Sequence, residues 1–251
     1  MLAGKRVVVT GANGGLGLAI ARACLEAGAT VGLNVHRDDK GARGLVDQRP
    51  DRAVLLPFDV CDAAGIARRV AEFRAFAGGI DGWVNNAGVN RADLLLTAGA
   101  ARIREQLDVN LLGPILCARA VLPLMLEQKA GVIVNVGSAA AARPQRGQAV
   151  YAATKGALEA FTRALAVEYG RKGIRAYCLR PGPIDTPMLA AARTLAGSEI
   201  LARVPLGRLG RPEEVAELAV HLLSERSAFV TGSVQTVDGG YTLEDGGCAD
   251  G

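Results

Sequence analysis

Tyr151 and Lys155 have the side chains and the spacing needed for proton transfer. Residues four apart on a helix lie on one face, on neighbouring turns, so we expect the two side chains to point the same way. A nearby ammonium disfavours the protonated phenol, and we therefore expect the pKa of Tyr151 to fall from its reference value of about 10. Ser138 ends the apolar run VIVNVGS shortly before this pair. The combination is typical of proton transfer to an alkoxide, although Tyr-x-x-x-Lys alone is a common pattern.

A glycine-rich segment, TGANGGLG, occupies residues 10–17 directly after the first apolar run. Gly11, Gly15 and Gly17 give the spacing G-x-x-x-G-x-G at the start of a predicted helix. Glycines permit a tight turn and the close approach of a pyrophosphate, which the positive end of the helix dipole attracts. The segment therefore indicates a nucleotide site. A glycine-rich strand-to-helix turn without a ligand is the alternative.

Apolar runs alternate with helical segments along the whole chain. The predicted strands are Arg6–Thr10, Thr30–Asn34, Ala53–Pro57, Gly82–Asn85, Val132–Val136, Ile174–Leu179 and Ser233–Val237, and the clearest helices are Leu16–Glu26, Ala63–Phe76, Ile103–Glu127 and Tyr151–Tyr169. Continuous apolar strands that alternate with helices indicate a parallel sheet covered on both faces. We expect a doubly wound α/β fold of the Rossmann type, with about seven strands in a single domain over residues 1–251.

Two regions depart from this alternation. Pro181–Gly210 has several prolines and little periodicity, and its part Pro183–Pro205 is predicted to be a lid over the substrate site. The tail Leu243–Gly251 is rich in glycine and acidic residues, and we expect it to be flexible.

Composition excludes several classes of function. The net charge of +4 and the aromatic content of 4% argue against nucleic acid as a partner. Five scattered cysteines without a C-x-x-C pattern suggest small core residues in a reducing compartment, and only two histidines are present, so we expect no metal site. We find neither a signal peptide nor an apolar run of membrane-spanning length. These features predict a cytoplasmic location without membrane contact.

Five motifs in register resemble the short-chain dehydrogenase/reductase family over essentially the whole chain. They are TGANGGLG, the sequence Asn85-Asn86-Ala87-Gly88, the set Asn110, Ser138, Tyr151 and Lys155, the Asp59-Val60 pair after the third strand, and Arg180-Pro-Gly-Pro-Ile-Asp-Thr186. The resemblance implies a nicotinamide cofactor and reversible hydride transfer to a carbonyl carbon.

The family resemblance assigns catalytic roles to four residues. Tyr151 gives its proton to the carbonyl oxygen, and Ser138 holds and orients that oxygen. Lys155 binds the nicotinamide ribose and lowers the pKa of Tyr151. Asn110 anchors a water through which protons reach Lys155. The alternative for Asn110 is an amide that merely caps a helix kink.

The same resemblance implies a cofactor site made of several segments. Its predicted residues are Gly11, Asn13, Gly15, Leu16, Gly17, His36, Arg37, Asp59, Val60, Asn86, Ala87, Gly88, Tyr151, Lys155, Pro181, Gly182, Ile184 and Thr186. Thr186 matches the position that hydrogen-bonds the nicotinamide carboxamide. Asp59 and Val60 match the adenine contact.

The second strand bears on the choice between NAD(H) and NADP(H). Relatives that select NAD usually have an acidic residue at its end, where this chain has Val35. His36 and Arg37 follow, and a cation there can pair with a 2′-phosphate. The chain therefore favours NADP(H). Gly14 weakens this expectation, because many NADP-binding relatives have arginine at its position.

Other segments bear on the substrate. GQAVYAATK at 147–155, VNRADLL at 89–95 and VPLGRLG at 204–210 resemble 3-oxoacyl-carrier-protein reductases. Lys129 and Lys172 match basic positions that such reductases set against an acidic carrier protein, and Arg171 adds charge; ordinary solvated cations are the alternative. We expect NADPH-dependent reduction of a small-molecule ketone, and the first choice of substrate is a 3-oxoacyl or polyketide-type ketone that can be bound to a carrier protein. A dehydrogenase of free alcohols, sugars or steroids is the second choice, and a non-catalytic nucleotide sensor the third.

Two predicted helices are apolar on more than one face. Leu111, Leu112, Ile115 and Leu116 are nearly consecutive, as are Ala157, Leu158, Phe161, Leu165 and Ala166. A helix apolar all round needs cover on its outer side as well as its sheet side. The equivalent helices of relatives pair across a two-fold axis, so we expect a homotetramer, with a dimer as the alternative.

Overall fold

The structure is a computed structural model that describes residues 1–189 and 199–243. Within these residues one sheet of seven parallel strands has the order β3-β2-β1-β4-β5-β6-β7. The strands are β1 (Arg6–Val9), β2 (Thr30–Val35), β3 (Ala53–Pro57), β4 (Gly82–Asn85), β5 (Gly131–Val136), β6 (Ile174–Pro181) and β7 (Ser233–Val237). The helices are α1 (Gly15–Glu26), α2 (Lys40–Gln48), α3 (Ala63–Ala77), α4 (Ala100–Leu107), α5 (Gly113–Gln128), α6 (Ala149–Tyr169) and α7 (Pro212–Leu223).

The strand order confirms the predicted doubly wound sheet. It reverses between β1 and β4, and ligands of open α/β sheets bind outside the carboxyl ends of the strands at such a switch point. Both faces of the central strands are covered. β5, for example, is buried at every position, which explains its continuous apolar sequence.

Two helices, α2 and α7, were not singled out from the sequence. The predicted helix Ile103–Glu127 is divided in the structure into α4, a π-helical turn over Asp108–Leu112, and α5. The three pieces follow one another without an intervening loop. π-turns inside α-helices frequently occur at functional sites, and this one contains Asn110.

A buried polar network joins the sheet to α6 beneath the predicted site. Asn85 donates to Asn135 at 2.8 Å, and Asn135 donates to the Thr162 hydroxyl at 2.9 Å. The Trp83 indole donates to Asn85 at 2.9 Å. Buried amides that satisfy one another allow essentially one packing arrangement, so the network sets how α6 lies on β4 and β5.

The continuous helical stretch Ala100–Gln128 contains a window apolar enough, by length and composition, to span a membrane. This stretch packs against the sheet and α3, and Cys117, Val121 and Met125 lie in the core. Less than half of the window, 44%, is buried within the chain. The stretch is therefore a core helix with an apolar outer side.

The structure tests only part of the lid and tail predictions. Within Pro183–Pro205, residues 190–198 lie outside the described residues, as do residues 244–251 of the predicted tail. The backbone on either side of the lid is paired, because Gly210 donates to the Pro183 carbonyl and Asp185 donates to the Gly210 carbonyl. The two ends of the lid segment thus lie side by side.

Candidate active site

A cavity of about 430 Å³ lies at the carboxyl ends of β1, β4, β5 and β6. Most of the predicted site residues line it, namely Gly11, Gly15, Leu16, Gly17, Asn86, Ala87, Gly88, Ser138, Tyr151, Lys155, Pro181, Gly182, Ile184 and Thr186. The parallel topology explains this convergence, since the segments that follow parallel strands all emerge at one edge of the sheet.

The glycine turn has a shape that other residues cannot adopt without strain. Gly11 and Gly15 have φ of +63° and +52°, in the left-handed region that favours glycine. A Cβ on Gly17 would lie 2.2 Å from the carbonyl oxygen of Gly11. The three glycines therefore bring the first turn of α1 against the end of β1, leaving backbone N–H groups at the positive end of the helix.

The segment after β4 is tied to this turn. Asn86 donates through its side chain to the carbonyl oxygens of Thr10 at 2.9 Å and Gly11 at 3.2 Å. The Thr10 hydroxyl in turn accepts from the backbone N–H groups of Asn86 and Ala87. Asn86 thus shapes the cavity wall by holding two loops together.

Tyr151, Ser138 and Lys155 lie together at the base of the cavity. Ser138 Oγ accepts from the Ala140 N–H at 3.1 Å, and the Ser138 side chain is near enough to Tyr151 to favour its phenolate form. Lys155 Nζ donates to the Val136 carbonyl at 2.8 Å and lies 5.7 Å from the centre of the Tyr151 ring. The predicted grouping of these three residues is observed.

The predicted fall in the pKa of Tyr151 is wrong for this arrangement. Burial raises the pKa of Tyr151, and the Ser138 hydrogen bond offsets only part of the rise. Burial lowers the pKa of Lys155 to about 8, against a weak opposing effect of Cys178. In this structure desolvation is the largest influence on both groups, so Tyr151 is a protonated donor at neutral pH.

Asn110 lies in the π-turn, fully buried, and does not line the cavity. Its Oδ1 accepts from the Val89 N–H at 2.8 Å, and its Nδ2 donates to the Val89 carbonyl at 2.8 Å and to Thr154 Oγ1 at 3.3 Å. These contacts give Asn110 a positioning role for the loop after β4. Its predicted role as a water anchor stays a prediction.

Five predicted cofactor residues lie outside the cavity lining. Asn13 Oδ1 accepts from the N–H groups of Gly41 at 3.1 Å and Ala42 at 3.4 Å, so it supports the start of α2. His36 Nε2 lies 3.5 Å from Asp59 Oδ2, which places the ends of β2 and β3 together. The two remaining residues are the exposed Arg37 and the buried Val60.

Sequence reasoning missed several polar residues of the cavity. Asn90, Arg143, Gln145, Gln148 and Tyr241 all line it. Gln145 Nε2 donates to the Tyr241 hydroxyl at 2.8 Å, and Gln148 Oε1 accepts from the Gln145 N–H at 3.0 Å. Their proximity to Ser138 and Tyr151 in sequence was the available signal for Gln145 and Gln148. Tyr241 lies far from these residues in the sequence, so no sequence signal indicated that it lines the cavity.

No cluster of three or more potential metal ligands occurs within residues 1–189 and 199–243. Cys24, Cys117 and Cys178 are buried, and burial raises the pKa of each thiol. Cys61, which is half-buried, also has a raised pKa, about 11, because of burial and the neighbouring Asp59. The described cysteines are therefore protonated at neutral pH.

The residues present fit a dinucleotide. A Cβ at Gly11 would lie 2.9 Å from Ala87 Cα, so the close approach of the two loops depends on the bare glycine backbone. Thr186 lies over the turn, with its Cβ 3.6 Å from the place where a Gly15 side chain would begin. The cavity thus extends from the glycine turn, which suits a pyrophosphate, to the Tyr151 hydroxyl, which can donate a proton. This is the arrangement that a nicotinamide dinucleotide requires.

Comparison with known proteins agrees with this site. The sequence profile of the family described as Enoyl-(Acyl carrier protein) reductase matches residues 11–242. The chain is 37% identical to the 3-oxoacyl-(acyl-carrier-protein) reductase FabG of Chlamydia muridarum, over 96% of this chain and 98% of that relative. It is 40% identical to the L-fucose dehydrogenase of Mus musculus, over 96% of this chain and 89% of that relative.

A solved structure is also similar. The gluconate 5-dehydrogenase from Burkholderia cenocepacia J2315, in complex with NADP and tartrate, superposes with a TM-score of 0.92 at 35% identity, and the match covers 97% of each chain. The fold, the glycine turn, the Ser138–Tyr151–Lys155 grouping and these similarities agree with one another. The chain belongs to the short-chain dehydrogenase/reductase family, whose members are oxidoreductases that act on CH–OH and C=O groups.

Proposed function

We propose that this chain is an NADP(H)-dependent oxidoreductase that interconverts a small polar ketone and its secondary alcohol. The observation that carries the proposal is that Ser138, Tyr151 and Lys155 line the same cavity as the glycine turn, with Lys155 Nζ 5.7 Å from the centre of the Tyr151 ring. The bound cofactor supplies or accepts the hydride. The residues hold the substrate oxygen and move its proton.

In the direction of reduction, Tyr151 donates its proton to the carbonyl oxygen as charge develops there. Its raised pKa keeps it protonated until the oxygen becomes basic enough to take the proton. Ser138 contributes a second hydroxyl at the same oxygen, and its position is set by the hydrogen bond from Ala140. Lys155 brings a buried positive charge next to Tyr151, which favours the phenolate that remains.

Several observations support NADP(H) over NAD(H). Val35 is buried at the end of β2, at the position where relatives that select NAD usually have an acidic residue. Arg37 is exposed at the same end, where it can reach a 2′-phosphate. His36 Nε2 lies 3.5 Å from Asp59 Oδ2, so this side chain already has a partner within the chain. The solved relative from Burkholderia cenocepacia contains NADP.

The cavity favours a free polar substrate. Carboxamides of Asn90, Gln145 and Gln148 and the Tyr241 ring line it together with Ser138. Carboxamides donate and accept hydrogen bonds, and Gln145 and Gln148, each bonded within the chain through one polar side-chain atom, keep a second one for a polar substrate. Relatives of this chain include enzymes named for a sugar and for a sugar acid.

A substrate on an acyl carrier protein is the second candidate, favoured by the similarity to FabG. The basic residues predicted to meet the carrier lie at the amino ends of the strands, whereas the cavity lies at their carboxyl ends. Lys129 ends α5 just before β5, and Lys172 precedes β6, whereas Ser138 follows the carboxyl end of β5. A strand of six residues is about 20 Å long. Within one chain, a carrier protein that docks on these cations would need an arm of about that length to reach Tyr151.

The test measures the turnover of a panel of ketones with NADPH through the absorbance of the reduced cofactor. The panel contains hydroxyketones, keto-sugars and 3-oxoacyl thioesters, each with and without a carrier protein. Tyr151→Phe should abolish turnover yet retain NADPH binding, whereas the control Tyr169→Phe at the end of α6 should change little. More than about a tenth of the activity in Tyr151→Phe would overturn the proposal, because general acid catalysis contributes about 100-fold or more.

A further inference from the structure

Lys155 and Glu159 are the two buried side chains that carry a charge within residues 1–189 and 199–243, with 4% and 9% exposure. They lie four residues apart on α6, so their Cβ atoms are about 5–6 Å apart on one face of the helix. The proposed mechanism uses Lys155 and not Glu159. A buried carboxylate needs a partner, because its removal from water is otherwise costly.

The partner of Glu159 is Arg180, at the end of β6. Arg180 Nε donates to Glu159 Oε1 at 2.9 Å, and Nη2 donates to Oε2 at 2.8 Å, so both carboxylate oxygens are engaged. The two side chains are shielded from solvent, with Arg180 20% and Glu159 11% exposed. Lys155 Nζ instead donates to the Val136 carbonyl at 2.8 Å. Two opposite charges one helical turn apart therefore have different partners.

The fully buried Cys178 thiol on β6 shows that these charges act on one small region. Its pKa is about 11, because burial raises it most and Glu159 raises it further, whereas Lys155 and Arg180 lower it. The thiol is therefore within electrostatic reach of all three charged groups. Asp238, which follows β7, is a further charge that acts on Arg180.

An unpaired Glu159 would compete for Lys155. At an effective dielectric constant of about 20, unit charges about 10 Å apart shift each other's pKa by about one unit. The carboxylate would raise the pKa of Lys155 and attract its ammonium away from the Val136 carbonyl and from Tyr151. Arg180 opposes both effects, because a bidentate guanidinium engages both carboxylate oxygens and offsets their charge.

We propose that Arg180 is a positioning residue that holds Glu159 away from Lys155, so that Lys155 stays available to the cofactor and to Tyr151. The inference rests on the proposed function and adds a residue that acts through Glu159 and touches no reacting atom. The alternative is a pair that only ties α6 to β6. The two differ in whether the charge of Glu159 reaches Lys155 once Arg180 is removed.

The test measures the pKa of Lys155 by NMR in the full chain labelled with ¹³C-lysine, and Lys155→Met identifies its signal. In the wild type this pKa is about 8. Arg180→Met should raise it by about one unit or more, because Glu159 is left unpaired. Glu159→Gln should lower it, because Arg180 then has an uncompensated positive charge. The double variant Arg180→Met/Glu159→Gln removes both charges and should return the pKa to within about 0.3 units of the wild type.

Turnover gives a second readout, with the ketone of the panel that the wild type reduces fastest. Arg180→Met should lower kcat/KM about tenfold or more, and the double variant should recover to within about threefold of the wild type. In the oxidation of the product alcohol, the pH of half-maximal rate should move upward in Arg180→Met. The direction is the same whichever group titrates, because negative charge favours the protonated forms of Tyr151 and Lys155 alike.

Arg6→Met is the matched control. Arg6 also binds a carboxylate with two hydrogen bonds, to Asp81 at 2.7 and 2.8 Å, and both side chains are partly buried. This pair lies at the amino end of β1, whereas the cavity lies at the carboxyl ends of the strands. Arg6→Met should lose stability, yet it should leave the pKa of Lys155 and the pH profile unchanged.

Two outcomes overturn the inference and leave the proposed function intact. One is a Lys155 pKa that is the same in Arg180→Met as in the wild type. The other is a loss of activity in Arg180→Met that the added Glu159→Gln does not restore. If the chain reduces no carbonyl compound, the proposed function fails, and the NMR titration, which needs no substrate, still decides whether Arg180 keeps the charge of Glu159 from Lys155.

Discussion

The carboxamide of Asn110 pairs with both backbone polar groups of Val89, with two hydrogen bonds of 2.8 Å. This contact reproduces, through a side chain, the pairing that a neighbouring strand would supply. It joins the π-turn between α4 and α5 to the loop that follows β4. The loop carries Gly88 and Asn90 into the cavity, so the shape of the site depends on a residue that does not line it.

Asn110→Ala should therefore impair both stability and activity. It leaves the N–H and the carbonyl of Val89 without their partner, and each unpaired buried group costs about 1–3 kcal/mol. We expect the free energy of unfolding in urea to fall by about 2 kcal/mol or more and kcat/KM to fall at least tenfold. Leu96→Ala, in the same loop after β4 and 97% exposed, is the matched control and should change neither quantity. An Asn110→Ala variant as stable as the wild type would contradict the positioning role.

Lys155 should produce a pH dependence of stability in a defined window. Its pKa is about 8 in the folded chain and 10.5 as an ordinary value. Between these two values the unfolded chain binds more protons, so this residue makes the free energy of unfolding rise as pH increases. The rise is on the order of 3 kcal/mol across the window, at about 1.4 kcal/mol per unit. The four described cysteines have raised pKa values and make stability fall over part of the same range, so the comparison between the two proteins isolates Lys155. In urea titrations from about pH 8 to pH 10.5, the free energy of unfolding of the wild type should rise relative to that of Lys155→Met.

Arg37 should determine much of the preference for NADP(H). Arg37→Ala removes one charge-assisted contact of about 1.5–3 kcal/mol, so NADPH should bind about 10- to 150-fold more weakly while NADH binding stays the same. His36→Ala should have a smaller effect, because Asp59 competes for that side chain at 3.5 Å. Arg49→Ala, an exposed arginine after α2, is the control. A wild-type kcat/KM that is higher with NADH than with NADPH would contradict the assignment.

The apolar outer sides of α5 and α6 lead us to expect a homotetramer. Leu112, in the π-turn that precedes α5, is 42% exposed, and Val167 on α6 is 83% exposed. Leu112→Arg and Val167→Arg should shift the mass measured by light scattering toward smaller species, since a buried charge without a partner is unfavourable. Phe76→Arg on α3, where the side chain is 43% exposed, is the control and should leave the mass unchanged. A monomeric wild type at micromolar concentration would refute the expectation.

The segment Pro183–Pro205 should become protected from hydrogen exchange when NADPH binds. Thr186 lies against the glycine turn, and Leu189 and Ile200 line the cavity, so ligand and segment share contacts. The short backbone pairing of Ile184 with Gly210 is the firm base from which the segment extends. Hydrogen-exchange mass spectrometry with and without NADPH measures the change. Equal protection in both samples would mean that the segment is docked permanently and is no lid.

The sequence by itself determined the fold and most of the site. The apolar runs predicted all seven observed strands within one or two residues at their ends, because a strand buried on both faces must be apolar throughout. The glycine spacing located the nucleotide turn for a similarly local reason. Only glycine adopts the φ of Gly11 and Gly15 readily, and only glycine fits where Gly17 meets the Gly11 carbonyl.

Only the tertiary structure decided how the surroundings of each side chain in the site set its pKa and its hydrogen bonds. The direction of the Tyr151 pKa depends on burial by elements distant in sequence, so spacing to Lys155 could not reveal it. The role of Asn110 could not be predicted from the sequence, because it depends on a π-turn that faces the loop after β4. The pairing of Glu159 with Arg180 became visible only when α6 was placed on β6, because hydrogen bonds between elements depend on distance in space rather than along the chain.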